Sequence, residues 1–491
     1  MRNNVPTESE LENTLAEVEG TRTLDGTVTT DEGSVELLKS QFFNDKGGLL
    51  WYKVVTYLLA KYHIITIGGS RRDMFIYRDG EYVTDDNDTI RKEIHRLIGS
   101  YATDKMNTQI IEAIKDLTSI ARERLDVGVH LINLNNGMLN TDTWKLEPHN
   151  PKHIFFTKIP VNYNPAADCP TTRKFLSEIL QEEDITIILE VFGYALYREY
   201  KIKKAFIFVG EGNTGKTTLL ELLAAFVGAR NVSGVSLQRI ATDKFAAAGL
   251  YNKHVNLYDD LSAKDVSDNG PFKMVTGGGT LSAEKKYKDQ FKFTNYAKLI
   301  FACNTIPDVK DATDDAYFLR WIVITFTRII EDGKKDTRLI YKMTTPEELS
   351  GLLNLSLKGL RRLLANQKFS HDKDTLETKA EMMRSASPIA RFVGDCVEES
   401  AGEWVSKEDM YHAYCAYVSK HKIPAMSAKM FGGRLPLCAP HIAEFKPKSP
   451  ANPAKQVLAW RNVRLKHPER EVSDEELDQL RNESFGAEYE Q

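Results

Sequence analysis

Cysteine is scarce in this chain, and long apolar runs are lacking. The 491 residues include five cysteines, which are dispersed and form neither a C-x-x-C pair nor a His/Cys cluster at zinc spacing. This pattern argues against a disulfide framework and a zinc site. No apolar run approaches a membrane span, and the amino-terminal segment lacks the apolar core of a signal peptide. We therefore expect free thiols, no membrane partner and a location in the cytoplasm.

A large excess of charge of one sign is also lacking, since 65 basic and 69 acidic residues give a formal net charge of −4. Such a balance provides no general attraction for nucleic acid, so a nucleic-acid site has to be local. The hydrophobic fraction of 42% and the length are typical of a globular chain with roughly three domains.

The segment Ala205–Phe226 contains a phosphate-binding loop in the context that such a loop requires. An apolar run predicts a strand, G-x-x-x-x-G-K-T follows, and an apolar-periodic helix comes next. Glycines let successive backbone N–H groups approach a phosphate chain, and the helix N-terminus adds a favourable dipole. We expect Lys216 to reach the β- and γ-phosphates and Thr217 to bind Mg²⁺. The predicted nucleotide-binding residues are Gly210, Glu211, Gly212, Asn213, Thr214, Gly215, Lys216, Thr217 and Thr218.

Two further apolar strands end in polar residues that suit hydrolysis of a nucleoside triphosphate. The run His254–Tyr258 precedes Asp259 and Asp260, which could hold hydrated Mg²⁺ and polarise the attacking water. Taken alone, such a pair is more often a surface turn. A third strand leads to Asn304, which could order the same water or only cap the turn before Pro307. With the phosphate loop upstream, we favour the functional interpretation for both strands.

Arg320 lies just before the apolar run of a fourth strand. In a ring of subunits, an arginine here could reach a neighbour's γ-phosphate and stabilise charge in the transition state. It could equally form an ion pair with Asp314 or Asp315 in its own subunit. The sequence leaves both roles open.

A basic hairpin is predicted between the acid pair and Asn304. Glycines lead into one short strand, a tip contains Lys285, Lys286, Tyr287 and Lys288, and a second strand returns. Lysines neutralise phosphates and a tyrosine can stack on a base, so this tip suits a nucleic-acid backbone. A solvated loop is the alternative on charge clustering alone.

The remaining pattern predicts the organisation of the chain. Alternating strands and helices favour a mostly parallel sheet for the nucleotide-binding core. Residues 49–65 and 388–399 are each predicted to form a helix, and residues 385–388 are predicted to form a linker. The last module reads as helices followed by a strand pair, the order of a winged-helix domain. The predicted divisions are a disordered acidic tail (1–34), an α+β region (35–184), the ATPase core (185–335), a helical region and linker (336–386), a winged-helix-like module (387–468) and an acidic tail (469–491).

Together these motifs resemble superfamily 3 helicases, with particular likeness to the helicase part of phage and plasmid primase-helicase proteins. The residues concerned are GEGNTGKTT, VNLYDD, the glycine–lysine hairpin, LIFACNTIPD and FLRWIVITF, with upstream segments such as NLNNGMLN and IPVNYNPAADCP. The likeness covers roughly residues 45–330, with a looser likeness in the last module.

The resemblance implies an AAA+-type core that uses ATP and Mg²⁺, assembles as a hexameric ring and moves along single-stranded DNA. It implies the phosphate-loop role for Lys216, the acid roles for Asp259 and Asp260, the sensor role for Asn304 and a finger acting in trans for Arg320. Lys285 and Lys286 would line the channel. A viral protein of this kind would act in the host cytoplasm. Only about 35–45 mostly polar residues precede the first predicted helix, so we expect no primase domain in this sequence and a separate primase as partner.

The sequence is compatible with three functions. The favoured one is a replicative DNA helicase of a virus, plasmid or integrated element that acts on single-stranded or forked DNA. A nucleotide-switched origin-binding or scaffold protein is supported by the winged-helix-like end. A P-loop ATPase acting on duplex DNA or on protein is the third.

Overall fold

The structure, a computed structural model, describes most of the chain between residues 41 and 466. The predicted tails, residues 1–34 and 469–491, lie outside the described residues, as do Glu211, Asp260 and residues 285–289 of the predicted hairpin. The described ranges are 41–68, 72–85, 88–121, 128–210, 212–243, 245–259, 261, 269–284, 290–304, 306, 314–328, 330, 333, 335–420, 425–448 and 456–466.

The amino-terminal part of the described chain is a four-stranded sheet packed with three helices. Its strands follow the spatial order β3-β2-β1-β4. The turn at Asp79-Gly80 joins β2 to β3 as an antiparallel hairpin, and Asp-Gly is a sequence typical of two-residue hairpin turns. The elements are α1 (Trp51–Lys61), β1 (Ile64–Ile67), β2 (Asp73–Arg78), β3 (Glu81–Thr84), α2 (Asp88–Ile98), α3 (Asp104–Leu117) and β4 (Ser119–Ile120).

The helix predicted over residues 49–65 is wrong at its carboxyl end. Helix α1 ends at Lys61, and the last residues of the predicted segment enter strand β1. The run Ile64–Ile67 is β-branched throughout and buried at all four positions, which suits an inner strand. Pairing with β2 on one side and with β4 on the other decides the conformation of these residues.

A small antiparallel sheet connects this region to the rest. Its strands are β5 (Leu131–Leu134), β6 (Gly137–Asn140) and β7 (Lys145–Glu147). The turn at Asn135-Asn136 joins the first two as an antiparallel hairpin. A parallel bridge from Leu134 to Ile159 ties the sheet to the segment leading into the next helices.

Five parallel strands form the central sheet, in the spatial order β14-β8-β13-β10-β9. Continuous apolar runs produce strands that are buried on both faces, as a parallel sheet covered on two sides requires. This confirms an α/β fold with a parallel sheet. The strands are β8 (Ala205–Gly210), β9 (Val232–Ser233), β10 (Val255–Tyr258), β13 (Lys298–Cys303) and β14 (Trp321–Phe326).

Helices cover both faces of this sheet. One face packs against α4 (Pro170–Ile179), α5 (Glu182–Leu196), α6 (Lys216–Val227), α11 (Leu339–Met343) and α12 (Pro346–Asn366). The other face packs against α7 (Leu237–Thr242), α8 (Ala246–Leu250), α9 (Gly270–Thr276), α10 (Asp315–Phe318) and α13 (Thr375–Ala386). Glycines bring α5 and α12 into close contact, since a Cβ at Gly359 would lie 2.6 Å from the carbonyl oxygen of Leu189.

The predicted hairpin between Asp259 and Asn304 is present in its described part. Strands β11 (Thr280–Ala283) and β12 (Phe291–Thr294) pair antiparallel over four residues each. Its predicted basic tip lies outside the described residues. Among the residues that are described, none of the helices is both long and apolar enough to cross a bilayer, and all five cysteines are free thiols.

The carboxyl-terminal module is built from three helices and a three-stranded antiparallel sheet of order β15-β17-β16. The helix predicted to run to residue 399 is wrong at its end, because α14 stops at Cys396 and Val397 pairs with Leu465. The predicted linker shrinks to Ser387, since α13 continues to Ala386. The elements are α14 (Pro388–Cys396), β15 (Val397–Ser406), α15 (Lys407–Lys420), α16 (Ala428–Cys438), β16 (Ala443–Phe445) and β17 (Ala459–Leu465).

Candidate active site

The phosphate loop joins β8 to α6 where two glycines are required. A Cβ at Gly210 would lie 2.5 Å from the carbonyl oxygen of Phe326 on the neighbouring strand. Gly215 has φ +88, and a Cβ there would also lie 2.8 Å from Ile179 Cγ2. The loop can therefore pass between β14 and α4 only with glycine at both positions. Helix α6 begins immediately afterwards at Lys216.

Lys216 turns back over the loop that precedes it. Its side-chain Nζ donates to the Gly210 carbonyl at 2.8 Å and to Thr214 Oγ1 at 3.2 Å. Thr214 and Lys216 are buried, whereas the neighbouring Thr217 is exposed. The Lys216 ammonium group is thus held against the backbone of the loop, whereas the Thr217 side chain is accessible to solvent.

Asp259 reaches the phosphate loop from the end of β10. Thr217 Oγ1 donates a hydrogen bond to Asp259 Oδ2 at 2.7 Å, although 42 residues separate the two in sequence. A hydroxyl and a carboxylate oxygen are hard ligands of the kind that Mg²⁺ takes in nucleotide sites. The structure therefore brings together the two residues predicted as metal ligands.

Asn304 follows β13, the strand that lies between β8 and β10. It is exposed, and it lines the same cleft as Lys216, Thr217 and Asp259. Because the carboxyl ends of parallel strands meet at one edge of a sheet, three strands deliver these side chains together.

These residues open onto a cleft of about 1180 Å³. Ligand sites are commonly about 300–1,000 Å³, so the space accommodates a nucleoside triphosphate. The loop residues from Gly212 to Thr218 form its floor. The sequence did not predict the walls, which come from α4 and from a segment after β14. These walls include Pro170, Thr171, Lys174, Phe175, Glu178, Ile330, Lys335, Asp336, Thr337, Leu339, Ile340 and Lys342.

Glu348 fixes the position of the α4 wall. Its carboxylate accepts from the backbone N–H groups of Thr171 at 2.9 Å and Thr172 at 3.1 Å, and from the Thr172 hydroxyl at 2.9 Å. The first turn of α4 is thereby capped from α12, some 180 residues away in sequence. No local pattern in α4 signals this partner.

Arg320 lies at the opposite edge of the sheet. It precedes β14, and its carbonyl accepts from the Ala205 N–H at the start of β8. The six residues of β8 separate this edge from the phosphate loop, about 20 Å at the usual rise of a strand. Arg320 therefore does not join the other predicted residues within one subunit.

The guanidinium of Arg320 also makes no ion pair with Asp314 or Asp315 among the described residues. It donates to the Ala316 carbonyl, and burial lowers the pKa of Arg320. Asp314 instead binds Lys273 at 2.9 Å and caps α10. The intrasubunit ion pair considered from the sequence is therefore not formed.

Protein-family models match three separate parts of the chain. Residues 49–181 match the family described as D5 N terminal like, and residues 384–482 match the poxvirus D5 protein-like family. The chain is similar to viral D5-type primase-helicase proteins. These matches, together with the viral relatives described next, confirm the resemblance to primase-helicase proteins. Residues 208–320, which hold most of the candidate site, match a family of unknown function, DUF5906.

Two curated relatives are viral proteins. "Putative helicase L207/L206" of Acanthamoeba polyphaga mimivirus is 23% identical over 333 residues, covering 61% of this chain and 34% of that protein. "Putative primase C962R" of African swine fever virus is 24% identical over 308 residues, covering 57% of this chain and 32% of that protein. The matched part of this chain spans about a third of each relative.

Among solved structures, the A form of the apo NrS-1 C-terminal region aligns with 83% of this chain and 98% of that chain. The sequence identity is 14% and the TM-score is 0.44. A second structure of the region aligns over the same shares at 12% identity, also with a TM-score of 0.44.

Proposed function

We propose that this chain is an ATP-dependent DNA helicase of superfamily 3 that serves replication of a virus, plasmid or integrated element. One observation carries the proposal. Lys216, Thr217, Asp259 and Asn304 come from three strand ends and line a single cleft at the carboxyl edge of a parallel sheet. A surface turn or a solitary glycine loop would not bring these side chains together.

The donor set fits ATP with Mg²⁺. Lys216 supplies a cation above the loop, and the Thr217 hydroxyl and Asp259 carboxylate lie 2.7 Å apart as a pair of oxygen ligands. Mg²⁺ when bound neutralises charge on the β- and γ-phosphate oxygens. In this proposal Asp260 takes a proton from the attacking water and Asn304 orients that water.

Ring assembly completes the proposed site. Arg320 lies about 20 Å from its own phosphate loop, at the usual rise of a six-residue strand. It is half-buried at the opposite edge of the sheet, so the γ-phosphate it serves would belong to a neighbouring subunit. We therefore propose an AAA+-type core in a homo-hexamer, with Arg320 as the finger acting in trans.

Two parts of the chain are proposed to handle DNA. The β11–β12 hairpin carries Lys285, Lys286, Tyr287 and Lys288 between its strands, and these residues would contact single-stranded or forked DNA in the ring. Along the chain of the terminal module, strand β15 comes between the first helix and the second, and strands β16 and β17 follow the third helix. This arrangement supports a winged-helix-like module. A primase would act as a separate partner.

Mg²⁺-dependent ATP hydrolysis, measured with and without single-stranded DNA, tests the proposal. We expect turnover that single-stranded DNA stimulates and that Lys216→Ala abolishes, because the ammonium above the loop is lost. Lys201→Ala removes an exposed lysine outside the cleft and serves as the matched control.

The alternatives give different results in the same assay. Negligible turnover with DNA and Mg²⁺ present would favour a nucleotide-switched origin-binding or scaffold protein. Stimulation by duplex DNA, or turnover indifferent to nucleic acid, would favour an ATPase acting on duplex DNA or on protein.

A further inference from the structure

Asn304 is held from outside the ATPase core by an arginine of the carboxyl-terminal module. Arg391 Nη2 donates a hydrogen bond to the Asn304 carbonyl oxygen at 3.1 Å, across 87 residues of sequence. Asn304 directly follows β13 and faces the cleft, whereas Arg391 is not among the residues that line it. The contact therefore holds the backbone of a candidate site residue from outside the cleft.

Arg391 lies on α14, a helix that is anchored in the apolar core of the carboxyl-terminal module. Its neighbours Ile389 and Phe392 on α14 are fully buried in the module's apolar core. The Phe392 ring lies 5.7 Å from the ring of Tyr414 and 5.8 Å from that of Tyr417, measured between centroids. Any displacement of the module relative to the sheet therefore moves Arg391 as well.

The preceding helix holds the module against the ATPase core. Met382 of α13 is buried in the same apolar cluster as Trp321 and Val323 of β14. Lys379 Nζ lies 5.5 Å from the centroid of the Phe318 ring. Because only Ser387 separates α13 from α14, this packing keeps Arg391 next to the end of β13.

We propose that Arg391 is a positioning residue for Asn304, through which the carboxyl-terminal module sets the rate of ATP hydrolysis. The inference rests on the proposed function, since it assigns Asn304 to the attacking water. A guanidinium forms a charge-assisted hydrogen bond with a carbonyl and limits rotation of the peptide after Asn304. Small misplacements of a group that orients a reactant are costly to the reaction rate.

Steady-state kinetics of full-length variants test this inference. We expect Arg391→Ala to lower kcat for ATP about tenfold while KM stays near that of the wild type, because the phosphate loop is untouched. Arg391→Lys should restore much of kcat, since an ammonium can donate to the same carbonyl. Arg464→Ala is the matched control, because it removes an exposed arginine of the same module that pairs with Glu398 at 2.8 Å.

A double-mutant cycle separates positioning from general loosening of the module. If Arg391 acts through Asn304, Arg391→Ala should lower kcat little further in an Asn304→Ala background. Additive losses, an equal loss in Arg464→Ala, or a wild-type kcat in Arg391→Ala would each overturn the inference and leave the ATPase proposal standing. Absence of turnover in the wild type would instead remove the proposed function, and this inference with it.

Discussion

Replacing His254 by asparagine should remove a component of stability that is sensitive to acid. The imidazole joins the start of β10 to helix α5 of the ATPase core and to a segment of the preceding α+β region. Its Nδ1 contacts the Ala195 carbonyl oxygen at 2.8 Å, and its Nε2 contacts Thr157 Oγ1 at 3.1 Å. A carbonyl only accepts, so Nδ1 donates to it, and a neutral ring leaves Nε2 to accept from the threonine hydroxyl. Burial at 3% exposure disfavours the charged ring and lowers the pKa of His254 to about 3.

The size of the effect follows from the difference between the folded and unfolded pKa values. The unfolded chain takes up the proton near the ordinary pKa of 6.5, whereas the folded chain resists it until about pH 3. The stability contributed by this neutral ring is complete above pH 6.5 and is lost progressively as the pH falls from 6.5 to 3. At pH 5 the loss is about 2 kcal/mol.

Urea unfolding followed by tryptophan fluorescence at pH 7.5 and pH 5 measures this loss. The difference in unfolding free energy between the wild type and His254→Asn should be smaller at pH 5 than at pH 7.5 by about 2 kcal/mol. Subtracting the variant removes the titration of groups that the two proteins share. His130→Asn, at an exposed position, controls for removal of one histidine. If the difference in unfolding free energy between the wild type and His254→Asn were the same at both pH values, the conclusion that His254 is buried as a neutral imidazole would be refuted.

Two further predictions concern helix packing and subunit assembly. Gly193→Ala should lower the unfolding free energy by about 1–3 kcal/mol, because the added methyl runs into the Ser356 carbonyl of α12 and lies 2.8 Å from Leu360 N. Gly433→Ala, where the methyl meets nothing within 4 Å, should cause no such loss in the same urea titration. Arg320→Ala and Lys216→Ala should each be inactive as ATPases, yet co-assembly of the two should restore part of the rate, because one interface then keeps both residues. A mixture that stays inactive would contradict the proposed role in trans.

The strands and the phosphate loop could be predicted because their signals are local. Apolar runs of strand length between glycines and helical segments gave β8, β10, β13 and β14 near their observed bounds. The rule that parallel strands expose their carboxyl ends at one edge also anticipated the contact between Thr217 and Asp259. This part of the site depends on topology more than on side-chain detail.

The walls of the cleft could not be predicted, because their positions depend on contacts between distant segments. Helix α4 carries no nucleotide-binding motif, and the Glu348 that caps it belongs to another helix. The same holds for Arg391, whose partner lies 87 residues upstream. In the sequence, Glu348 and Arg391 are indistinguishable from ordinary surface residues, because their roles depend on how α12 and α14 pack.

The misplaced helix ends share one cause. Residues 64–65 and 397–399 carry apolar residues that continue a helical spacing, but both segments find strand partners elsewhere in the chain. Pairing of β1 with β2 and of β15 with β17 satisfies their backbone groups and buries Ile64, Ile65 and Val397. Tertiary pairing therefore outweighs a local preference that is weak at the end of a helix.

Strand separation on a forked DNA substrate, followed by release of a fluorescent strand, tests the central proposal most directly. We expect the wild type to unwind the fork with ATP and Mg²⁺, but not with a non-hydrolysable ATP analogue. Lys216→Ala should not unwind it, and Lys286→Ala should hydrolyse ATP at its basal rate without unwinding. Unwinding by Lys216→Ala, or no unwinding by a wild type that hydrolyses ATP on single-stranded DNA, would contradict a helicase driven from this cleft.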